Sequence, residues 1–388
     1  MFIDFPLRLV EPTFDDDLVT SIVELEGLRR QLRGSTSPFV FFDLKRIYQL
    51  MDSLASSRIE GNRTTIADLV DSHIDGVPEN ADGDPVKEIL NIDRAAAYVE
   101  ESIKAGDEIT HTLVKEMHAI IVDGLAPPSE GGEGDPTPGA YRKGDVEIAR
   151  SDHTPPTHPA VTGYLDELLG FINDHGEVKY QLLRIALAHH RFAWIHPFTN
   201  GNGRVVRMLT YAMLIQQGFN VAQGRTINPS AVLFSDRDRY YDALAEGDKG
   251  TDDGLLKWCS YMLGGLQFEM DKIARLLDYE YLSKTILIPA VKDCADRGFL
   301  DKVEEKMLLL AVRQNVVQAK DIAKLMPKVH PTTVSRRIKK LRDRNLLVGL
   351  GQHITKYRLF YFKNDLTRSV IRKLQSEGFF TGLDENEE

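Results

Sequence analysis

Two apolar segments on either side of a short glycine-containing loop constrain the fold more than any other feature. Residues 205–217 are apolar almost all round, which is typical of a helix buried in a core, and Gly218 is suited to end that helix. Residues 180–194 have the same character, and Pro197 cannot continue that first helix. Because Pro197 also disfavours helical geometry at His196, the sequence predicts a helix, a tight loop and a second, buried helix.

The loop between these helices has the composition of an anion-binding site. A helix N-terminus leaves its first backbone N–H groups without partners and carries the positive end of the helix dipole. Gly201 and Gly203 allow the backbone to approach a ligand closely. Arg204 and Arg207 are three residues apart and share one face of the following helix. The sequence therefore predicts a polyphosphate-binding loop; the alternative is a capped loop whose arginines pair with surface carboxylates.

A titratable side chain stands at the entry to this loop. His196 has an ordinary pKa of about 6.5, which suits a general base at neutral pH. The sequence therefore predicts a phosphate-binding loop with an adjacent base.

The whole stretch, His196-Pro-Phe-x-x-Gly-Asn-Gly-Arg-x-x-Arg207, resembles the signature of the Fic (Fic/Doc) family of nucleotidyltransferases. The resemblance implies an all-α fold, with a Fic-type helical core and a small β-hairpin flap. It also implies transfer of AMP from ATP to a Ser, Thr or Tyr hydroxyl of a protein, with His196 as the base. The residues implied to hold the ATP phosphates are Gly201, Asn202, Gly203, Arg204 and Arg207.

One position departs from the family pattern. The family usually has Asp or Glu two residues after the Phe, as a Mg²⁺ ligand, whereas this chain has Asn200. An amide oxygen can bind Mg²⁺, but it contributes less charge than a carboxylate. We therefore expect Asn200 to be the metal ligand, with Mg²⁺ or Mn²⁺ bound, and the favoured metal and reaction stay open.

The segment Ser56-Ser-Arg-Ile-Glu60-Gly61 ends a predicted helix that covers residues 41–60. A carboxylate at this end meets the negative pole of the helix dipole, so Glu60 either points into solvent or is paired with a cation from elsewhere. Ser-x-x-x-Glu-Gly resembles the inhibitory motif of Fic proteins. The resemblance implies that Glu60 pairs with Arg207 and blocks productive placement of the ATP phosphates, and that Ser56 steadies that end of the helix.

Two further sets of residues complete the predicted site. Short strand-like pieces flank Lys143-Gly144-Asp145, which predicts a β-hairpin. In the family a flap here pairs with the target segment by strand addition; the alternative is a surface hairpin without a role. The flap residues would be Tyr141, Arg142 and Val146. Tyr240 and Tyr241 lie where the family has an aromatic residue near the nucleotide base, and packing is the alternative role for both.

Composition excludes several classes of protein. The chain has 388 residues and a net charge of −10, and no apolar run is long enough to span a membrane. It begins without a secretory signal, and Cys259 and Cys294 show no metal spacing, so we expect a reduced, cytoplasmic protein. The predicted domains are an N-terminal helical segment with the inhibitory helix (1–85), a Fic catalytic core (86–280) and a winged-helix domain with an acidic tail (281–388).

The C-terminal domain differs from the rest of the chain in charge. Residues 328–358 contain nine Lys or Arg residues against one acid, Asp343, and follow a helix-turn-helix pattern that ends in a hairpin. This pattern is typical of a DNA-binding winged helix; the alternative is a protein-interaction module with solvated charges.

The leading hypothesis is a self-inhibited protein adenylyltransferase whose first target is a partner protein or the chain itself. Two alternatives stay open: a hydrolase that removes AMP with the same loop, and a DNA-binding regulator whose Fic core senses nucleotide. A homodimer is compatible with the sequence but is not predicted by any motif in it.

Overall fold

The computed structural model describes residues 2–31, 38–75, 84–148, 151–174, 176–219, 237–351 and 354–380. These residues are mostly helical and include one small sheet. The acidic tail predicted at residues 383–388 lies outside them. Within the described ranges, no helix is both long and apolar enough to cross a membrane.

The described residues form a series of helices, with three short strands among the C-terminal ones. In chain order the helices are α1 (Asp17–Gln31), α2 (Pro38–Ile59), α3 (Ile66–Asp75), α4 (Asp84–Ser102), α5 (His111–Ile121), α6 (Val161–Asn173), α7 (Gln181–Ile195), α8 (Asn202–Gln216), α9 (Arg237–Gly247), α10 (Asp252–Leu277), α11 (Ile288–Asp296), α12 (Lys302–Gln314), α13 (Ala319–Ala323), α14 (Pro331–Asp343) and α15 (Asp365–Ser376). A helical turn (Tyr279–Tyr281) and a π-helical segment (Leu282–Leu287) precede α11. The strands are β1 (Val317–Gln318), β2 (Leu347–Leu350) and β3 (Lys356–Leu359).

The chain forms two compact units, and each is assembled from several segments. The first contains Met1–Ser35, Tyr48–Thr64 and Asn80–Ala274. The second contains Thr36–Ile47, Thr65–Glu79 and Arg275–Glu388. Helix α2 therefore contributes its N-terminal residues to the second unit and its C-terminal residues, which carry the Ser56–Glu60 motif, to the first.

Helix α8 is the centre of the first unit. All of its residues except Gly203 are buried, and it packs against α4, α5 and α7. Each fully buried Val, Leu or Met side chain contributes about 1.5–3 kcal/mol, so the position of this helix is strongly determined. The buried helix that the sequence predicts after the loop is confirmed.

The loop before α8 is formed as its residue types predict. Helix α7 ends at Ile195 because His196 adopts the left-handed conformation (φ 50°, ψ 62°) and Pro197 follows. Gly201 is also left-handed (φ 77°) and is the residue from which α8 begins. The predicted order of helix, tight loop and buried helix is therefore correct.

In the second unit, α12, α13 and α14 accompany a three-stranded antiparallel sheet with the order β1-β3-β2. Leu347 pairs with Leu359, and Val317 pairs with Tyr357. A buried ion pair within this unit joins Asp43, near the start of α2, to Arg358 of β3. Burial raises the pKa of Asp43, although Arg358 opposes the shift.

The β-hairpin predicted around Lys143-Gly144-Asp145 is wrong for the described part of that segment. Residues 140–148 include no β-strand; Lys143 and Gly144 form a bend. The backbone N–H of Arg142, which a ladder would use, donates to Pro197 O (2.9 Å), and the Asp145 side chain accepts from His158 N (2.7 Å). These bonds tie the segment to its neighbours instead of pairing it with itself.

Candidate active site

His196 caps α7 in a strained but well-held conformation. Its N–H donates to Phe192 O at 3.1 Å, and ring atom Nδ1 lies 3.4 Å from Ala193 O. Because a carbonyl can only accept, Nδ1 carries the proton and Nε2 is the nitrogen that can accept one. Burial lowers the pKa of His196 to about 4. The imidazole is therefore neutral at neutral pH, as a proton acceptor must be.

Side chains from residues 142–153 satisfy the carbonyls at the end of α7. The buried Arg142 guanidinium donates through Nε to His196 O (2.8 Å) and through Nη2 to Ile195 O (3.4 Å). His153 Nε2 lies 2.8 Å from Trp194 O. A cation at a helix C-terminus is also favoured by the helix dipole. Arg142 and His153 together hold the backbone that positions His196.

The N-terminus of α8 presents backbone N–H groups toward the loop. The first bond within the helix joins Val205 N to Gly201 O at 3.0 Å, so the N–H groups of Asn202, Gly203 and Arg204 precede the helical ladder. The Asn202 side chain accepts from Phe198 N and donates to Phe198 O, both at 2.9 Å. The Asn202 side chain thus stabilises the loop, and only the backbone N–H of Asn202 is available to bind an anion.

A second set of contacts fixes the middle of the loop from the side. His118 stacks on Phe198 with ring centroids 3.8 Å apart; its Nδ1 accepts from Gly139 N, and its Nε2 lies 3.2 Å from Asn200 O. Asp135 accepts from Asn200 N at 2.9 Å. Burial opposes its ionisation, but His118, whose Nε2 lies 3.6 Å from Oδ2, and the backbone N–H groups of Thr137 and Asn200 lower the pKa of Asp135 to about 2. The loop is therefore held rigidly before any ligand binds.

Arg207 is the second arginine of the loop, and the inhibitory motif surrounds it. Its Nε donates to Ser56 Oγ (2.8 Å), and its Nη2 donates to Ser56 O (2.9 Å) and to Glu60 Oε1 (2.9 Å). Arg207 is 1% exposed, whereas the Glu60 side chain is 26% exposed. Ser56 thus accepts hydrogen bonds from the guanidinium directly, and it lies one helical turn before Glu60.

The Glu60 carboxylate also lies at the N-terminus of α8. A Cβ atom added to Gly203 would fall 2.3 Å from Glu60 Oε1, so only glycine leaves room for this carboxylate. Burial opposes the ionisation of Glu60, but Arg207 and Arg204 outweigh burial and hold its pKa below the usual range. An anion therefore already occupies the place where the sequence predicts an anion site.

Arg204, the first arginine of the loop, is paired as well. Its Nη1 lies 3.1 Å from Glu88 Oε1, and its Nη2 donates to Glu133 O at 2.8 Å and lies 3.2 Å from Glu133 Oε2. Arg204 is 1% exposed, the Glu88 side chain 3% and the Glu133 side chain 41%. Both arginines are therefore neutralised by carboxylates in this structure.

Comparison with known proteins identifies the segment that carries this geometry. Residues 108–214 match the model of the Fic/DOC family. The chain contains a Fic/DOC domain. The Fic resemblance of the sequence is thereby confirmed.

Two curated relatives of this segment carry the same name. The chain is 31% identical over 207 residues to Protein adenylyltransferase Fic of Nematostella vectensis, which covers 50% of this chain and 42% of that protein. It is 28% identical over 196 residues to Protein adenylyltransferase Fic of Drosophila ananassae, with 50% and 35% covered. The chain spans less than half the length of these relatives.

Solved structures show that the fold is shared. A Fic family protein from Desulfovibrio desulfuricans G20 superposes with a TM-score of 0.54 at 20% identity, covering 91% of this chain and 98% of that one. Fic-1 from C. elegans gives a TM-score of 0.53 at 18% identity, covering 66% and 71%. The predicted helical Fic fold is confirmed.

The Fic domain offers a metal few ligands of its own. Asn200 donates through Nδ2 to Gly134 O at 3.1 Å, which leaves Oδ1 as the atom able to bind a cation. Asp135, the neighbouring carboxylate, is buried and already accepts from Asn200 N and Thr137 N. Within the described ranges, no group of three or more His, Cys, Asp or Glu side chains could hold a metal. Mg²⁺ is commonly held by one or two protein oxygens together with substrate phosphates and water, and Asn200 Oδ1 fits that role.

The remaining predicted residues differ in how accessible they are. Tyr240 is 3% exposed and its hydroxyl lies 3.0 Å from His189 Nε2, so it packs in the core, and a role near the nucleotide base stays a prediction. Tyr241 is half-buried, with the Arg237 guanidinium 5.6 Å from its ring centroid, and stays a prediction. Tyr141 bonds to His111 at 2.8 Å, and Val146 is half-buried in the segment predicted as flap.

Four residues that shape the Fic site were not predicted from the sequence. His118, Asp135, Glu88 and Glu133 act through contacts with residues far along the chain. The Gly131-Gly132-Glu133-Gly134 run was the available hint. A Cβ on Gly134 would fall 2.2 Å from Leu125 O, which shows that this tight loop requires glycine.

Proposed function

We propose that this chain is a self-inhibited protein adenylyltransferase, which transfers AMP from ATP to a hydroxyl of a protein. One observation supports it above the others: a neutral His196 stands at the entry of a helix N-terminus that already holds a carboxylate, Glu60. The Fic/DOC match and the names of the curated relatives agree with it.

In the proposed reaction His196 Nε2 accepts the proton of the target Ser, Thr or Tyr hydroxyl. The oxygen attacks the α-phosphorus of ATP in line, its bond to that phosphorus forms as the bond to pyrophosphate breaks, and pyrophosphate leaves. The N–H groups at the start of α8, with Arg204 and Arg207, would hold the phosphates by charge and geometry. Asn200 Oδ1 is the ligand that the chain would add to Mg²⁺, or to Mn²⁺ in its place, and the metal would neutralise charge on the ATP phosphates.

The target hydroxyl belongs to a partner protein, or to this chain as a first substrate. A dimer that changes the contacts of α2 would offer one route to relieve the inhibition. Both proposals, and a cytoplasmic location, rest on the sequence.

The test of the proposed function uses ATP labelled at the α-phosphate and, separately, at the γ-phosphate. Protein-bound label from the α position alone would support AMP transfer, whereas label from the γ position would indicate phosphotransfer. Incubating labelled, modified protein with fresh enzyme then asks whether AMP is released, which would favour the hydrolase.

The pH profile gives a separate prediction. A base acts in its neutral form, so activity is complete above its pKa and falls tenfold per pH unit below it. Because the pKa of His196 is lowered to about 4, kcat/KM at saturating Mg²⁺ should be constant from about pH 6 to pH 8. ATP affinity measured at each pH is the control. A half-maximal point near pH 6.5 would show that His196 titrates as an unburied histidine and would contradict the prediction.

A second candidate activity, DNA binding, is favoured by the surface of α14. Within the second unit, the order α12-β1-α13-α14-β2-β3 is compatible with a winged helix, in which α14 would be the recognition helix. Of the nine basic residues at 328–358, four pair with acids elsewhere: Arg337 with Asp301, Lys340 and Arg344 with Glu304, and Arg358 with Asp43. The other five are exposed: Lys328, Arg336, Lys339, Arg342 and Lys356.

The exposed and the paired residues of α14 provide a matched comparison. We expect Arg336→Gln/Lys339→Gln to weaken duplex binding and to lower the slope of log affinity against log salt by about 2, since each lost phosphate contact changes it by roughly 0.9. Arg337→Gln/Lys340→Gln should change the slope less, because Asp301 and Glu304 already pair with these cations. Titration of labelled duplex at several salt concentrations measures both. Wild type that does not bind duplex at low salt would overturn the proposal.

A further inference from the structure

The charge balance around the anion site is unfavourable for a polyphosphate even when Glu60 is removed. Two arginines, Arg204 and Arg207, face three carboxylates, those of Glu60, Glu88 and Glu133. The net charge of these five side chains is −1, and it is zero without Glu60. Although Arg237 and the N–H groups of α8 add positive charge, the two remaining carboxylates still oppose the binding of a polyanion such as ATP.

The two carboxylates on Arg204 are not equivalent. The Glu133 side chain is 41% exposed, so water screens its charge and it can move away. The Glu88 side chain is 3% exposed and lies within α4, so its charge is neither screened nor easily moved. Glu88 is therefore the carboxylate whose charge most affects an anion at Arg204.

Glu88 is also connected to the inhibitory turn. Asn62, two residues after Glu60, donates through Nδ2 to Glu88 Oε2 and to Pro85 O, both at 2.8 Å. Asn62 Oδ1 accepts from Thr64 N at 2.9 Å, and Asn62 N donates to Ser57 O at 3.2 Å. The same short turn thus carries Glu60, which pairs with Arg207, and Asn62, whose amide holds Glu88 near Arg204.

We propose that Glu88 is a second inhibitory carboxylate. It pairs with Arg204 and keeps this arginine from the ATP phosphates, as Glu60 does with Arg207. This inference rests on the proposed function, and it names a regulation of that same site. Arg204 has two carboxylates around its Nη atoms and is 1% exposed, so phosphate can reach it only by displacing one of them. Burial raises the pKa of Glu88, which agrees with a carboxylate whose charge is incompletely compensated.

The test compares Glu60→Gly with Glu60→Gly/Glu88→Gln in the full chain. Calorimetry measures the affinity for α,β-methylene-ATP and for inorganic triphosphate, with Mg²⁺ present throughout. We expect the added Glu88→Gln to tighten both affinities by about three- to tenfold. The matched comparison is Glu133→Gln in the same background, which removes an exposed carboxylate from the same guanidinium and should tighten affinity less than Glu88→Gln does.

The opposite result is equally informative. If Glu88 instead positions Arg204 for the phosphates, Glu88→Gln weakens both affinities, and an unchanged or weaker affinity overturns the inference. Glu88→Ala is the second variant, should the glutamine form fail to fold, and it must change affinity in the same direction. Because these measurements follow binding alone, they stand even if no variant transfers AMP, a result that would count against the proposed function.

Discussion

Replacing Glu60 with glycine is expected to raise the rate of AMP transfer by at least about tenfold, with label from the α-phosphate accumulating on the chain or its target. The substitution removes a carboxylate that bonds to Arg207 at 2.9 Å and fills the space beside Gly203. Each 1.4 kcal/mol of binding energy returned to the ATP phosphates is worth tenfold. Arg207 stays in place because Ser56 still accepts from it twice.

The same substitution should lower the stability of the protein without ATP. Removing one partner of a buried ion pair costs about 3–5 kcal/mol when the pair is fully buried. The Glu60 side chain is 26% exposed, so we expect a smaller loss, about 1–3 kcal/mol, in the free energy of unfolding. ATP should restore part of it, since a ligand that binds only the folded state stabilises that state. If Glu60→Gly is more active but melts at a lower temperature, the gain comes from loss of an inhibitory contact and not from a more stable protein.

Two controls separate charge from shape. Glu60→Gln keeps the size of the side chain and can still accept from Arg207, so it should activate less than Glu60→Gly. Adding His196→Asn to Glu60→Gly should abolish the gain. Unchanged AMP transfer in Glu60→Gly, in the presence of a confirmed target, would show that Glu60 does not inhibit.

The parts of the site that the sequence predicts are those determined by local backbone chemistry. Pro197 and Gly201 limit the conformations available to the loop, and the apolar residues 205–217 leave the following helix no exposed face. The pairing of Glu60 with Arg207 could be predicted only from the family resemblance. A carboxylate at a helix C-terminus indicates that a cation lies nearby, but not which residue supplies it. The structure supplies the partner and adds Ser56 as a direct ligand of the guanidinium.

The parts that the sequence misses depend on contacts between distant residues. Arg142 lies in a segment that alternates like a strand, yet its guanidinium is buried against the carbonyls that end α7, 54 residues away. Charge counts along the chain mislead for the same reason. At residues 328–358 four of nine basic side chains are neutralised by acids outside the segment, as Arg337 is by Asp301. Net charge over a window is therefore an upper limit on the charge that a surface presents.

Replacing His196 with asparagine is expected to reduce AMP transfer by about 10²–10⁴-fold, the usual contribution of a general base. Asparagine suits the test because it tolerates the left-handed conformation that His196 adopts (φ 50°). Alanine would lose the base and strain the backbone together. Initial rates with α-labelled ATP in the Glu60→Gly background give the widest range for the measurement.

Measuring the affinity for ATP shows whether the lower rate of His196→Asn arises in the transfer step or in ATP binding. The loop is held by Asn202, His118 and Asp135, none of which bonds to the His196 side chain, so ATP affinity should stay within about threefold. His330→Asn is the matched control: His330 is the N-cap that precedes α14, and asparagine is a suitable N-cap residue. That variant should keep full activity. If His196→Asn retains more than a tenth of the rate, the proton must leave the target hydroxyl by another route, and His196 is then a cap of α7 alone.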